Sequence, residues 1–172
     1  MPGDDFVDSP TWTATRAVGI RAAPERVWPW LVQIGYRRAG FYSYDRLDNS
    51  GIPSARRILA EYQGLRRGDL VPLSPRVNLQ VAHIEAPRTL VLTSLEGAAI
   101  RWSWTWGLYP DEQGGTRLVS RLRLGDIGWT TRLFLDAAEL IMMRKHLLGI
   151  RARAEDRDLS PPPASAPSSS RP

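Results

Sequence analysis

Residues 99–109 read Ala99-Ile100-Arg101-Trp102-Ser103-Trp104-Thr105-Trp106-Gly107-Leu108-Tyr109. In an extended chain successive side chains point to opposite faces. Trp102, Trp104, Trp106 and Leu108 therefore share one face, and Arg101, Ser103 and Thr105 share the other. Residues 116–124 repeat the split. Leu118, Leu122 and Leu124 oppose Arg117, Arg121 and Arg123, with Ser120 a polar intruder on the apolar side. Between the two runs, Pro110 to Gly115 is short and turn-forming, so the pair is an antiparallel hairpin. The outcome is a sheet with one apolar face and one arginine-rich face that water can solvate.

The apolar face needs a cover. The last long periodic segment, roughly Thr130 to Asp156, supplies it. Leu133, Ala137, Leu140, Met143, Leu147, Ile150 and Ala154 recur at spacings of three and four. Phe134, Ala138, Ile141, Met142 and Leu148 widen that stripe. Such a helix is a rod about 30 Å long, at about 1.5 Å per residue. A sheet twists and curls, so rod and sheet touch in one place and diverge in another. The three indoles then either fill the gap as solid core or wall a cavity for a flat or aliphatic guest.

Upstream, Trp12 to Arg21 reads as a strand and Pro24 to Ile34 as a helix, with Pro24 at a tolerated first-turn position. Val27, Trp28, Leu31 and Ile34 form its stripe, which places Trp28 in the core and leaves Trp30 to meet the next segment. Pro29 should bend this helix. Phe41 to Asn49 suits a short helix, and Ser54 can cap another over Ala55 to Tyr62. Leu70 to Leu73, Leu79 to Ala86 and Thr89 to Leu95 read as further strands joined by short links. The order is strand, helices, hairpin-linked strands, long helix: an α+β domain.

The chain has 172 residues, 42% of them hydrophobic, which suits one domain with a sizeable core. Residues 1–10 are polar and acidic, and residues 158–172 are rich in Pro and Ser. Both ends are expected to be disordered, leaving 11–157 as the folded domain. No apolar run is long enough to span a bilayer and the N-terminus lacks the pattern of a signal peptide, so a cytoplasmic location is expected. The chain has no cysteine, which removes disulfides and thiol chemistry. His83 and His146 are the only imidazoles and lie on different elements, so no metal is expected. Nor is any cofactor implied, since no phosphate loop or dinucleotide fingerprint occurs. The net charge of +5 rests almost wholly on scattered arginines, Lys145 being the single lysine, and no nucleic-acid partner is expected. Oligomeric state is left open.

The stretch ATRAVGIRAAPERVWPWLVQIGYRRAGFYSYDRLDN, Ala14 to Asn49, resembles the START-related, pollen-allergen-like (SRPBCC) superfamily. Its Trp-Pro-Trp-Leu-Val-Gln and Gly-Phe-Tyr-Ser-Tyr-Asp steps are similar to a bacterial branch described as polyketide cyclase/dehydrase-like. The segments GDLVPL, VAHIEAPRTLVL, WSWTWGLYP and TRLVSRLRL fit that superfamily's strands, and MRKHLLGIRARAE its C-terminal helix. The resemblance covers about residues 12 to 157. It implies a helix-grip fold: a curved antiparallel sheet wrapping a long C-terminal helix, with short helices closing one end of an apolar cavity. It also implies a small hydrophobic ligand of the lipid, polyketide or isoprenoid class.

The expected ligand wall is Trp102, Trp104 and Trp106 from the strand, Tyr42 and Tyr44 from the aromatic segment, and Phe134, Ile141 and Met142 from the helix. Asp45, Tyr44 and His83 are the weak candidates for acid–base catalysis. Each has a plainer reading: Asp45 as a helix cap, Tyr44 as lid packing, His83 as a partly exposed strand residue. Three functions follow. The first is a binding module for a hydrophobic molecule. The second is a cyclase or dehydratase acting on a polyketide-like substrate. The third is an interaction protein that uses the arginine-rich outer face.

Overall fold

Alternating side chains and tight turns lay down six strands in a single antiparallel sheet. They are β1 (Trp12–Ile20), β2 (Leu70–Ser74), β3 (Val77–Glu85), β4 (Thr89–Ser94), β5 (Trp102–Pro110) and β6 (Thr116–Leu124). The helices are α1 (Pro24–Val32), α2 (Asp45–Asp48) and α3 (Trp129–Glu155). The computed structural model describes residues 1–95, 97, 101–125, 129–156 and 158–159, and only the backbone of 129–134 and 137. Strand order is β1-β6-β5-β4-β3-β2. Every neighbouring pair is antiparallel, with Trp104 opposite Leu122 and Trp106 opposite Ser120 in the central hairpin. A long helix packed on such a sheet is the helix-grip arrangement.

Helix α3 packs chiefly on β1 and on α1, and so lies towards one edge of the sheet. The core beneath it joins Ile20, Leu90, Leu92, Trp106, Leu118 and Ile150, all almost completely buried. Helix α1 continues through Pro29 and presents Val27, Trp30, Leu31 and Ile34 to that core. Trp30 is fully buried and Trp28 only partly, the reverse of the expectation. Positions 27, 30, 31 and 34 are the tighter three-and-four stripe, and a helix buries one stripe at a time.

Three further expectations are corrected. No helix forms over Ala55–Tyr62; only a turn of 3-10 helix spans Ala60–Tyr62, and Ser54 spends its hydroxyl elsewhere, on Asp45 (2.5 Å) and the Tyr42 amide (3.0 Å). The first ten residues are not loose. Residues Asp4–Phe6 form a 3-10 turn against the outer face of β5, and Val7 is buried. Asp4 bridges Arg121 Nη1 at 2.7 Å and Arg123 Nη1 at 3.4 Å, and Arg101 and Arg123 donate to the Phe6 and Val7 carbonyls. Finally, the outer side of β5 is not wet: Ser103 and Thr105 are each 1% exposed. The cause is the same N-terminal segment, whose Gly3 sits so close to Thr105 and Val91 that a side chain there would collide. Burial alone would raise the Asp4 carboxyl, but the N-terminal ammonium, Arg121 and Arg123 more than offset this and hold it below the usual range. Three arginines of the outer face are thus engaged by the chain itself. The tail expected to be disordered lies, beyond residue 159, outside the described residues.

Candidate functional site

Helix and sheet meet where Trp106 donates its indole N–H to Nε2 of His146, at 3.2 Å. Beside that point a cavity of about 380 Å³ lies between them, reaching Trp104 and Trp102. The sheet contributes Trp12, Leu73, Trp102, Trp104 and Leu122. Helix α3 contributes Leu135, Ala138, Glu139, Met142, Met143 and His146. The segment before and within α2 adds Phe41, Ser43, Leu47 and Asp48. The lining is overwhelmingly apolar, and its volume falls in the usual range of small-molecule sites, about 300–1,000 Å³. Phe41 stacks on Trp104, with centroids 6.2 Å apart and planes at 19°, so the two rings form one flat wall.

Trp102, Trp104 and Met142 line this cavity. Trp106 does not. It is fully buried and bonded to His146, which makes it core. Ile141 is 56% exposed on the far side of α3, and Leu140 and Leu148 are likewise exposed. The stripe that turns inward keeps the expected Met143, Leu147, Ile150 and Ala154 and adds residues 139 and 146. It includes a glutamate and a histidine, which a count of apolar residues assigns to the outside. The side chain of Phe134 lies outside the described residues.

Tyr42 is buried but faces away from the cavity. Its backbone takes the left-handed conformation (φ 57), an uncommon one for a residue with a side chain. The reversal leaves Phe41 and Ser43 in the cavity wall and sends Tyr42 the other way. There its hydroxyl donates to the Trp30 carbonyl and accepts from Gln33 Nε2, each at 2.9 Å. Burial pushes that phenol far above its ordinary range. Tyr42 is therefore a strut between α1 and the loop rather than part of the ligand wall.

The expected catalytic candidates are also relocated. Asp45 accepts from Ser54 and borders a separate polar surface hollow with Lys145 and Arg153. Tyr44 is 37% exposed, with the Lys145 ammonium 3.9 Å from its ring centre. His83 is exposed on β3, beside an irregularity in its pairing with β4. None of the three lines the cavity.

The titratable groups that do line it were not singled out from the sequence. His146 is 2% exposed; its Nδ1 lies 2.6 Å from the Phe41 carbonyl and its Nε2 accepts from Trp106. These partners define the neutral tautomer with hydrogen on Nδ1. Burial holds its pKa down at about 4, against a smaller upward pull from the Phe41 carbonyl. Glu139 meets Arg16 Nη2 at 2.9 Å, an ion pair between α3 and the inner face of β1. Burial raises its pKa, Arg16 opposes the rise, and Asp136 adds to it. Asp48 has both carboxyl oxygens shielded from solvent. Burial and then Asp45 raise its pKa, while Ser43 and the nearby backbone oppose the shift. A signal for Glu139 and His146 did exist: both sit at three-and-four spacing from Met143 and Ile150. Among the described residues no cluster of three or more His, Cys, Asp or Glu could hold a metal, and no helix is long and apolar enough to cross a membrane.

No protein-family model matches this sequence, and no curated protein matches it. Solved structures do match in shape. A protein from Nitrosospira multiformis superposes with a TM-score of 0.56 at 12% identity, covering 82% of this chain and 94% of its own. MLL2253 from Mesorhizobium loti gives 0.54 at 15% identity, over 86% of this chain and 100% of its own. DynU16, a protein of the dynemicin biosynthetic locus, gives 0.53 at 15% identity, over 79% of this chain but only 46% of its own. At these identities the likeness concerns architecture alone: the chain has an α+β fold in which a six-stranded antiparallel sheet packs against a long C-terminal helix, the helix-grip arrangement.

Proposed function

We propose that this protein binds a small hydrophobic molecule, of the lipid, polyketide or isoprenoid class, between α3 and the sheet. The observation that carries the reading is the cavity of about 380 Å³ walled by Trp12, Phe41, Trp102, Trp104 and Met142. Indole and phenyl faces offer large apolar area at little conformational cost, and methionine adapts to guests of varied shape. The void persists although Trp104 and Trp106 pack closely, with centroids 4.2 Å apart and planes tilted by 31°. Those rings have already taken the partners they need, so the remaining space is available to a guest. The location of DynU16 in a biosynthetic locus supports a natural product as one such guest.

Two measurements test the proposal. Native mass spectrometry of the purified chain should reveal a co-purified apolar mass. Titration with sterols, quinones, fatty alcohols and aromatic polyketides should change tryptophan fluorescence, because three of the wall residues are indoles. No bound mass and no fluorescence change with any compound would overturn the proposal.

One observation favours a second reading, acid–base catalysis on the bound molecule. Asp48 and Glu139 both border the cavity with pKa values raised by burial. Carboxyl groups raised by burial at a cavity wall are candidates for proton transfer. Conversion of a cyclisable polyketide, lost in Asp48→Asn while binding is kept, would favour this second reading. Binding without turnover would favour carriage.

A further inference from the structure

The rim of the cavity carries apolar side chains that water reaches. Leu47 borders the cavity from α2 and is 76% exposed, which marks that side as its mouth. Helix α3 borders the cavity with Ala138 and Met142, and its outer surface leaves Ile141 56% and Leu148 40% exposed. Positions 141, 144, 145 and 148 share one helix face, so Arg144 and Lys145, both exposed, lie between those two apolar side chains. The two sides of the rim are joined. Ser43 Oγ donates to the Met142 carbonyl at 3.1 Å, and the Lys145 ammonium rests 3.9 Å from the Tyr44 ring centre. Arg46, also exposed, directly precedes Leu47. Among the described residues no ion pair engages Arg46, Arg144 or Lys145. The acids of the same segment, Asp45 and Asp48, are half-buried, and Asp45 accepts from Ser54. The outer sheet face differs, since Arg121 and Arg123 there are held by Asp4.

We propose that this rim docks the protein on an anionic lipid bilayer with the cavity mouth towards the lipid, so that a hydrophobic guest passes between bilayer and cavity without crossing water. The inference rests on the cavity being a binding site. A single exposed leucine is ordinary on a protein surface. Apolar side chains set among cations that lack ion pairs are a different pattern. At a bilayer interface the apolar groups enter the acyl boundary while the cations meet the anionic headgroups. An acidic protein would also satisfy the cations, but it offers no reservoir in which an apolar guest is already dissolved. The bilayer matches the charge, the apolar rim and the cavity together.

The test uses the full chain and co-sedimentation with vesicles of phosphatidylcholine, alone or with about 30% phosphatidylglycerol. The anionic vesicles should bind at least about ten-fold more tightly, and added salt should weaken that binding. Arg144→Glu should cost at least about ten-fold on anionic vesicles, since each basic side chain at such a surface is worth about five-fold and the reversal adds repulsion. Arg117→Glu makes the same charge change on the outer side of β6, where Arg117 is exposed, and should cost less than about three-fold. Ile141→Glu should weaken vesicle binding as Arg144→Glu does, with Leu148→Glu as the second variant should it fail to fold. None of these substitutions touches the cavity lining, so fluorescence titrations with decanol and naphthalenemethanol in free solution should be unchanged. Guest binding with no preference for anionic vesicles overturns the docking, points the face to an acidic protein instead, and leaves the cavity reading intact. Equal losses in Arg144→Glu and Arg117→Glu overturn it too, because net charge alone would then explain the binding. Vesicle binding without any guest binding overturns the cavity reading, and the proposed passage of a guest falls with it.

Discussion

Trp106 and His146 are joined by a 3.2 Å hydrogen bond that fastens the middle of the sheet to the long helix. The bond sets the closed end of the cavity: Trp106, on the sheet side of the bond, is core, and Trp104, two residues before it, is wall. Both imidazole nitrogens are in use, so a proton can be added only by breaking the indole bond in a fully buried place.

That arrangement has a pH signature. The folded pKa of His146 is about 4, against an ordinary value of 6.5. Above 6.5 both folded and unfolded states hold it neutral and nothing changes. As pH falls below 6.5 the unfolded chain takes a proton that the fold refuses, so stability drops, and the drop ends near pH 4. The full loss is roughly 3 kcal/mol. Asp48 and Glu139 act in the opposite sense, since raised carboxyl groups lose stability as pH rises, and they offset part of the slope at its acid end. Denaturant midpoints measured from about pH 7.5 to about pH 4.5 should fall steadily. His146→Gln, which can still accept from Trp106 and donate to Phe41, should flatten the curve.

Arg16 and Glu139 join β1 to α3 at 2.9 Å, with the glutamate side chain 5% exposed and the arginine 36%. Arg16→Ala strands a carboxylate in an apolar setting. It should cost about 1–2 kcal/mol at neutral pH, less than for a fully buried pair because Arg16 reaches water. The cost should shrink as pH falls and Glu139 takes a proton. Adding Glu139→Gln to the same chain should restore most of the stability. Urea unfolding of the two singles and the double provides the measurement, and equal costs at all pH values would contradict the pairing.

Gly149 lies in α3 directly beneath the Tyr42 carbonyl, and a methyl group there would run into that oxygen. In an exposed helix Gly→Ala raises stability by about 1 kcal/mol. Here the sign should reverse, with a loss of about 1–3 kcal/mol as the 41–43 segment is pushed away. Because Phe41 and Ser43 border the cavity, the same substitution should weaken guest binding. A rise in melting temperature for Gly149→Ala would show that the contact is not as close as described.

Ala138 borders the cavity from the helix side. Ala138→Phe places a ring in the void and competes with any guest. Guest affinity should fall at least about ten-fold, while the unfolding free energy stays within about 1 kcal/mol of the parent. Calorimetric binding and denaturant unfolding on the same preparation separate these effects. Retained affinity would mean that the guest lies elsewhere.

Alternation along residues 99–109 and 116–124 was enough to establish the sheet, its inner face and the need for a covering helix. Those features depend on neighbours one or two positions apart, and period and turn chemistry report such neighbours directly. The same logic could not distinguish Trp104 from Trp106, which share a face and differ only in where α3 lands above them. Nor could it place Tyr42, whose direction hangs on one left-handed backbone angle. Glu139 and His146 were hidden for a related reason. A polar residue on a helix is read as outward unless its partner is known, and the Phe41 carbonyl that holds His146 is 105 positions away along the chain. Local periodicity decides which residues can face inward. Only the packing of distant segments decides which of them make core, which make wall, and which charges can be buried.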